Sequence, residues 1–576
     1  MRLARFLAIV FAVVGLLCSS QSAAQTPVDP GQLPGRTIFY VLWRGTPRGE
    51  IRKSNSLYAL WDDPDFVTAR ASFIESVMNN AEKPKDKPAL SREEMAQYAT
   101  LLDNAFLVGY VRRAEAAPAA KAAAKEAGAW NGMFFIYDRS GKEELLSKAV
   151  VRMRSAETEI PKLTPMTMAG VPALKVERKS GTTYWAEFGK YAVSASEARV
   201  FEEILDVLNG KPSRTQLSQS ANYQEAKSLL NGGVLEFFLS VPSVKELALD
   251  SPATSTAQLS PVLNALKLES LHCLAGHVVL EGARTRVEGG VLGDTAPGGL
   301  FDIFADGQAN PASLAYLSPD TVTYGETQIN PLGIYETLKR ALSQAGGSTA
   351  QFVKPLEAAA ETRLGMPLPD ALALTTGEIA TIQASPTLED NQKVYFFGIR
   401  NKLDALKLTR TLLGDRISSE RNEGSTTFLK ISLGGGQSSA GMTQWNFYHM
   451  AMTPTLLVGA SKSETLRKYL AQTPGGSDPA IPKFIQTARA KYPEKLNGFS
   501  YFDFQKMDWA GLKAQWVTQL NKTAMNEKTK EAEKNEKQLA NWLSEVKPEV
   551  FSRHLHTMVG ASWKDANGVH FEEWLE

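Results

Sequence analysis

The sequence predicts an α+β protein of two tandem, pseudo-symmetric domains, each a mainly antiparallel sheet with packed helices. Three observations carry that expectation. Short strand-like runs form meanders with helices between them, without the regular strand–helix alternation of a doubly wound parallel sheet. The stretch from Val394 to Leu470 reads strand, helix, three strands, helix, and the stretch from Met133 to Leu208 reads the same. Further blocks on either side of each stretch keep one order in both halves, as divergence after an internal duplication requires.

The chain opens MRLARF, then LAIVFAVVGLLC, then small residues at Ser22 and Ala24. A basic start, a short apolar run and small residues describe a secretory signal peptide cleaved after Ala24. The apolar run falls short of the roughly 20 residues that a spanning helix needs. Leu17 stands before Cys18, where a lipid anchor would want a small residue. The expected organisation is a signal peptide over 1–24, a leader over 25–35, a first repeat over 36–293, a linker over 294–312 and a second repeat over 313–576. The expected location is extracytoplasmic, periplasmic or secreted, with no transmembrane segment in the mature chain.

Charge and cysteine content narrow the function classes. The precursor has 63 basic and 62 acidic residues. Loss of Arg2 and Arg5 with the signal peptide turns the balance slightly negative, which argues against a nucleic-acid surface. Cys18 leaves with the signal, so Cys273 stands alone and no intramolecular disulfide can form. Its setting, HCLAGHVVL, reads as a core strand rather than a catalytic thiol.

Taken in order, the first structured element is the buried strand around TIFYVLW, matched by DTVTYGETQI in the second half through Thr37 and Tyr40 against Thr321 and Tyr324. Helical stretches follow both, NSLYALWDDPDFVTARASFIESV and PLGIYETLKRAL. The Lys/Ala/Pro-rich segments 81–90 and 114–129 read as surface insertions, and Ser91 with Glu94 as a capping box between them. FFIYDR and YFFGIR are matching strands closed by Arg139 and Arg400. Ser140 and Asn401 are the caps expected for the helices that follow, and Ala405, Leu408 and Leu412 form an apolar stripe on the second.

Three short strands come next in each half: ALKVER, TYWAEF and YAVSA in the first, with Gly189-Lys190 as a hairpin turn, and TTFLKIS, TQWNFYHMAM and PTLLVGA in the second. Helices capped by Ser196 and Ser461 close the meanders, with Phe201, Ile204 and Leu205 matching Leu466, Tyr469 and Leu470. Finally Gly233 matches Gly498, and Leu271-His272 matches Leu555-His556. The charged segment NKTAMNEKTKEAEKNEKQLANWLSEV reads as an exposed helix inserted in the second half.

Chemistry-bearing motifs are few. Histidines stand at 272, 277, 449, 554, 556 and 570, and His554 and His556 would share a face of a strand. No Cys or carboxylate lies near them at ligand spacing, so no metal and no cofactor is expected. Asp62, Asp63 and Asp65 in WDDPDF lack the glycine turn and distal acid of a calcium loop, and read as turn and capping residues. GGGQSSAG (434–441) joins two strands rather than opening a helix, so it reads as a hairpin loop rather than a phosphate cradle. No GxSxG or Cys/His nucleophile pattern is present. Trp43, Trp61, Trp185, Trp445, Trp509 and Trp563 read as core packing. No residue is nominated as catalytic.

At TIFYVLWRG with ALWDDPDF, and at the FFGIRNK…LLVGASKSE module, the chain resembles a family of secreted or envelope-associated bacterial proteins of unknown function. Repeats of that family open on a Pro-x-x-Thr strand and carry a late strand ending in Gly-x-Ser before a helix. The resemblance implies an extracytoplasmic bacterial protein and assigns no activity. The reading from residues is a non-catalytic binding or assembly module of the envelope, whose partner is another envelope protein or a small ligand. The alternative is a hydrolase with its site in the cleft between the repeats.

Overall fold

A computed structural model describes residues 28–576 apart from 68–93, 95–96, 99, 113–131, 157–160, 179–180, 212, 214, 231, 245–266, 297–298, 345–352, 388–391, 433–448, 472–482 and 527–529. The expected signal peptide, both Lys/Ala/Pro-rich segments, Ser91, the GGGQSSAG loop and Trp445 lie outside the described residues.

Among the described residues the first half contributes ten strands: β1 (Thr37–Trp43), β2 (Phe106–Val111), β3 (Met133–Asp138), β4 (Lys162–Met168), β5 (Val171–Arg178), β6 (Gly181–Phe188), β7 (Tyr191–Ala195), β8 (Leu235–Ser240), β9 (Leu271–Glu281) and β10 (Arg284–Gly293). Among its described residues the second contributes β11 (Thr323–Gln328), β12 (Thr375–Gln383), β13 (Lys393–Ile399), β14 (Ile417–Glu423), β15 (Thr426–Ile431), β16 (His449–Met452), β17 (Leu456–Ala460), β18 (Gly498–Asp503), β19 (Thr557–Asp565) and β20 (Gly568–Leu575).

All twenty lie in one sheet whose pairs are antiparallel, joined at the middle by β10 against β20. Outward from β10 the order is β9, β8, β1, β2, β3, β7, β6, β5, β4. Outward from β20 it is β19, β18, β11, β12, β13, β17, β16, β15, β14. The two halves therefore share a sheet rather than each closing its own.

Alternation along the strands sends side chains to both faces, and both faces are covered. Tyr40 and Leu42 of β1 join one core, with Phe201, Ile204 and Leu205 from a helix over Ala198–Leu208. Val41 and Trp43 point the other way, into a cluster with Tyr58. The second half repeats the first face with Tyr324, Phe396 and Val458 under Leu466, Tyr469 and Ile485. Each such fully buried side chain contributes about 2 kcal/mol relative to exposure. The outermost strands are blunted: β4 carries Pro165 and is exposed along most of its length, while β14 is exposed and charged.

The helices that matter below are α1 (Ser56–Asp62), α2 (Glu143–Ala156), α3 (Ala198–Leu208), α4 (Pro331–Gln344), α5 (Leu368–Ala373), α6 (Lys402–Leu413), α7 (Ser463–Ala471), α8 (Lys483–Arg489) and α9 (Glu549–His554). Asn401 caps α6 as expected, accepting from the amides of Leu403 and Asp404. Ser140 does not cap α2. Its amide and hydroxyl both donate to Asp138 Oδ1, and the helix starts only at Glu143. Ser196 likewise turns its hydroxyl to the Met133 carbonyl and the Gly132 amide, leaving α3 without a side-chain cap. Of the stripe expected on α6, Ala405 is buried with its neighbour Leu406, but Leu412 faces solvent.

Register corrects two of the expected matches. The β13–β17 pairing brings Val394 opposite Ala460, just as β3–β7 brings Phe134 opposite Ala195. Ile399 thus stands where Arg139 does, and Arg400 falls one residue further on. In β18, Gly498 is the last residue paired with β11, as Leu235, not Gly233, is the last of β8 paired with β1.

Candidate functional site

A cavity of about 660 Å³ opens beside the segment that links the halves. One wall is that segment, with Asp302, Phe304, Asp306 and Gln308; the floor is the end of β11 and the start of α4, with Ile329, Asn330 and Leu332. The other wall is the end of α5, the start of β12 and the end of β13, with Leu372, Thr375, Thr376 and Arg400; Lys564 enters from β19. The first-half strands do not line it.

Backbone pairing sets this arrangement. Phe304 bridges Ile329 on one side, and the Ile329 amide donates to the Gly377 carbonyl on the other, at 3.0 Å. Gly377 has φ 87°, and a Cβ there would land on the Ile329 carbonyl oxygen. Only glycine lets β12 bulge this close to the floor. Asn330 is fixed as the cap of α4, accepting from the Gly333 amide at 3.0 Å. Arg400 is held through Nε on the Thr375 carbonyl at 3.1 Å, and Lys564 through Nζ on the Phe301 carbonyl at 3.2 Å. Among the described residues neither cation forms an ion pair.

The same place in the other half is filled. Counting back from the hairpin turns, the residue of β9 at the level of Lys564 is Leu280. Leu280 is buried with Trp43, Tyr58 and Leu235. The residue of β11 at the level of Trp43 is Thr327. Two large apolar side chains of the first half are thus a lysine and an exposed threonine in the second, and of these two the lysine lines the cavity.

Beneath the linking segment lies a buried charge network. Glu326 accepts from Tyr324 Oη and from Arg489, and Arg489 also reaches the Ala309 carbonyl at 3.1 Å. Burial pushes the Glu326 carboxyl up, against the opposing pull of Arg489. Glu378 accepts the amides of Ala312 and Ser313 at 3.0 and 2.8 Å, pinning the end of the linker. In the first half Tyr40 donates to Glu236 at 2.7 Å and Arg44 pairs with the same carboxylate at 2.9 Å. The acid there comes from β8, opposite Leu42; in the second half it comes from β11, opposite Phe499.

The WDDPDF aspartates act across the molecule. Asp63 is buried and accepts from Arg553 at 2.5 Å, His554 at 2.7 Å and the Asp65 amide at 2.8 Å. Burial alone would raise its carboxyl, but these donors hold it below the usual carboxylate range. Asp65 pairs with Lys547 and Arg553, and Asp62 with Arg52. An apolar cluster from Leu60 and Phe66 to Val546 and Val550 backs the contact. The aspartates do turn the chain, as the sequence suggests; their partners some 490 residues away left no local signal.

The histidines do not converge. His554 ends α9 rather than sharing a strand with His556. His272 pairs with Glu225, His277 is buried against the Leu229 carbonyl, and His570 stacks on Trp563. Burial, reinforced by Lys430, pulls His449 down. Among the described residues no group of three or more His, Cys, Asp or Glu could hold a metal, and no helix is long and apolar enough to cross a membrane. The Cys273 thiol is buried and pushed up to about 12, chiefly by desolvation.

No protein-family model, curated protein or solved structure matches the chain.

Proposed function

We propose that the chain is an extracytoplasmic envelope protein made by duplication of one α+β unit, whose second copy holds a small polar ligand without turning it over. The observation that carries this reading is the cavity lined by Lys564 and Thr375, since at the level of Lys564 the first half buries Leu280 against Trp43. Cores of duplicated domains need no such opening, and opening it removes apolar contacts that stabilise the other copy. The like order of strands outward from β10 and β20 supports the duplication and the domain limits 36–293 and 313–576. The basic, apolar and small-residue pattern over 1–24 supports export.

The test is a thermal-shift and calorimetric screen of the chain from Gln25 onward against amino acids, peptides, sugars and phosphates. Binding should raise the melting temperature, and Thr376→Trp, which fills the cavity, should abolish the rise. A screen with no hit sensitive to that substitution would remove the reading.

A second reading, hydrolysis, is favoured by Asp302 and Asp306 lining one cavity, since two carboxylates can divide acid and base roles. Turnover of a bound compound, lost in both Asp302→Asn and Asp306→Asn, would establish it.

A further inference from the structure

We infer that the cavity takes a neutral saccharide of one or two rings. This rests on the reading of the cavity as a ligand site. Charge, unspent hydrogen-bonding groups and an apolar surface point to that chemistry together.

Four charged side chains line the cavity and their signs cancel, Asp302 and Asp306 against Arg400 and Lys564. An anion meets two carboxylates there and a cation meets two bases, so a ligand of either sign loses part of what it gains. A ligand without charge avoids both penalties.

The polar lining keeps both donors and acceptors in reserve. The side-chain amide of Gln308, half-buried, makes no hydrogen bond among the described residues. Asn330 spends Oδ1 on the Gly333 amide and keeps Nδ2, and Arg400 spends only Nε on the Thr375 carbonyl and keeps both Nη groups. The Asp306 carboxylate has no partner among the described residues. A sugar hydroxyl both donates and accepts, so one ring can answer all four residues. A phosphate or sulfate brings acceptors alone and would set them against Asp306.

Beside these groups lies an apolar surface. Phe304 packs against the cluster of Leu271, Phe301 and Val569 and borders the cavity together with Ile329. A sugar ring carries its hydroxyls around the rim and C–H groups on its faces, and those faces can rest on such side chains. The volume of about 660 Å³ falls in the range that encloses small organic ligands, and is far more than an inorganic ion fills.

The experiment is calorimetry of the chain from Gln25 onward with glucose, cellobiose, maltose, lactose and diacetylchitobiose. The anionic cellobiouronic acid and the cationic, deacetylated chitobiose are measured beside them. At least one neutral sugar should bind, its charged counterparts about tenfold more weakly, and its affinity should not change with added salt. Gln308→Ala and Asp306→Ala should each weaken it about tenfold while leaving the melting temperature of the free protein unchanged. Asp306→Asn, which leaves the lining net positive, should bring the anionic sugar level with the neutral one. No binding of any neutral sugar, charged sugars binding as tightly, or binding indifferent to both alanine variants would overturn the proposal. Binding of inorganic phosphate or a peptide instead, blocked by Thr376→Trp, would overturn the ligand class and leave the site standing. Absence of any ligand sensitive to Thr376→Trp would overturn both.

Discussion

Glu288 and Glu572 face each other across the strand pair that joins the halves, and each is the fifth residue of its own strand. Pairing of like strand positions across a shared edge is what the proposed duplication would give, if its two copies met about a two-fold axis. The position brings like charges together, which destabilises a strand pair. Arg286 answers it from Glu288 at 2.6 Å, with Glu281 at 2.8 Å and Glu572 at 3.9 Å. Burial pushes the Glu572 carboxyl up; Glu288 and Glu281 add to the rise, while Arg286 and Lys491 oppose it.

Glu572→Gln should therefore stabilise the protein at neutral pH, by about 0.5 kcal/mol for relief of a facing like charge. A carboxyl raised in the folded state favours folding when protonated, and that contribution is lost as pH rises through its folded value. The variant's advantage should thus be present at pH 7 and vanish near pH 4. Thermal unfolding at both values checks this; a less stable variant at pH 7 would contradict it.

Asp63→Asn should loosen the contact between WDDPDF and α9, costing about 2 kcal/mol for hydrogen bonds to a charged group. Because the Asp63 carboxyl is held low, its contribution is present above the unfolded value and lost as pH falls through the folded one. The gap between wild type and variant should shrink under acid, read as urea midpoints from pH 3 to pH 7.

Glu326→Leu should cost about 3 kcal/mol, since it leaves Arg489 buried without its partner. Adding Phe499→Glu restores a carboxylate from the facing strand, the arrangement that Leu42 and Glu236 already form. The double variant should recover a large part of the loss, with a coupling of about 1 kcal/mol or more in a double-mutant cycle. Additive losses would show that the tyrosine and arginine do not accept the acid from either side.

Gly377→Ala should destabilise by about 2 kcal/mol, because the position has positive φ and abuts the Ile329 carbonyl. Urea denaturation measures it, and the same variant should weaken any ligand held over Ile329.

Much of the architecture was legible because alternation and turn chemistry are local. Tyr40 with Tyr324, the Gly189-Lys190 turn, the Asn401 cap and the buried faces of α3 and α7 could all be read from neighbouring residues. Register was legible only to within the period of the strand. A slip of two residues keeps every side chain on its face, so Gly233 and Leu235 compete equally for Gly498. The one-residue slip at Arg139 matters more, because it sends Arg400 to a different face and so into the cavity. Four strands carry no clear pattern, for separate reasons: β4 and β14 are exposed edges without apolar alternation, and β2 and β12 are interior strands interrupted by glycine. Ser140 and Ser196 misled because a serine hydroxyl serves a nearby acceptor as readily as a helix end. The cavity left no motif at all. It is assembled from separate stretches and depends on a lysine standing where a leucine stands in the other half.

The placement of β20 has a kinetic consequence. It follows every other described strand along the chain, yet it lies in the middle of the sheet, between β10 and β19. During synthesis, β10 emerges well before β20 and keeps an unpaired edge until β20 arrives to cover it. Such an edge is a template for pairing with other chains. Completion of the fold is therefore a single late insertion at the centre, and the interval before it is when this protein is most exposed to aggregation.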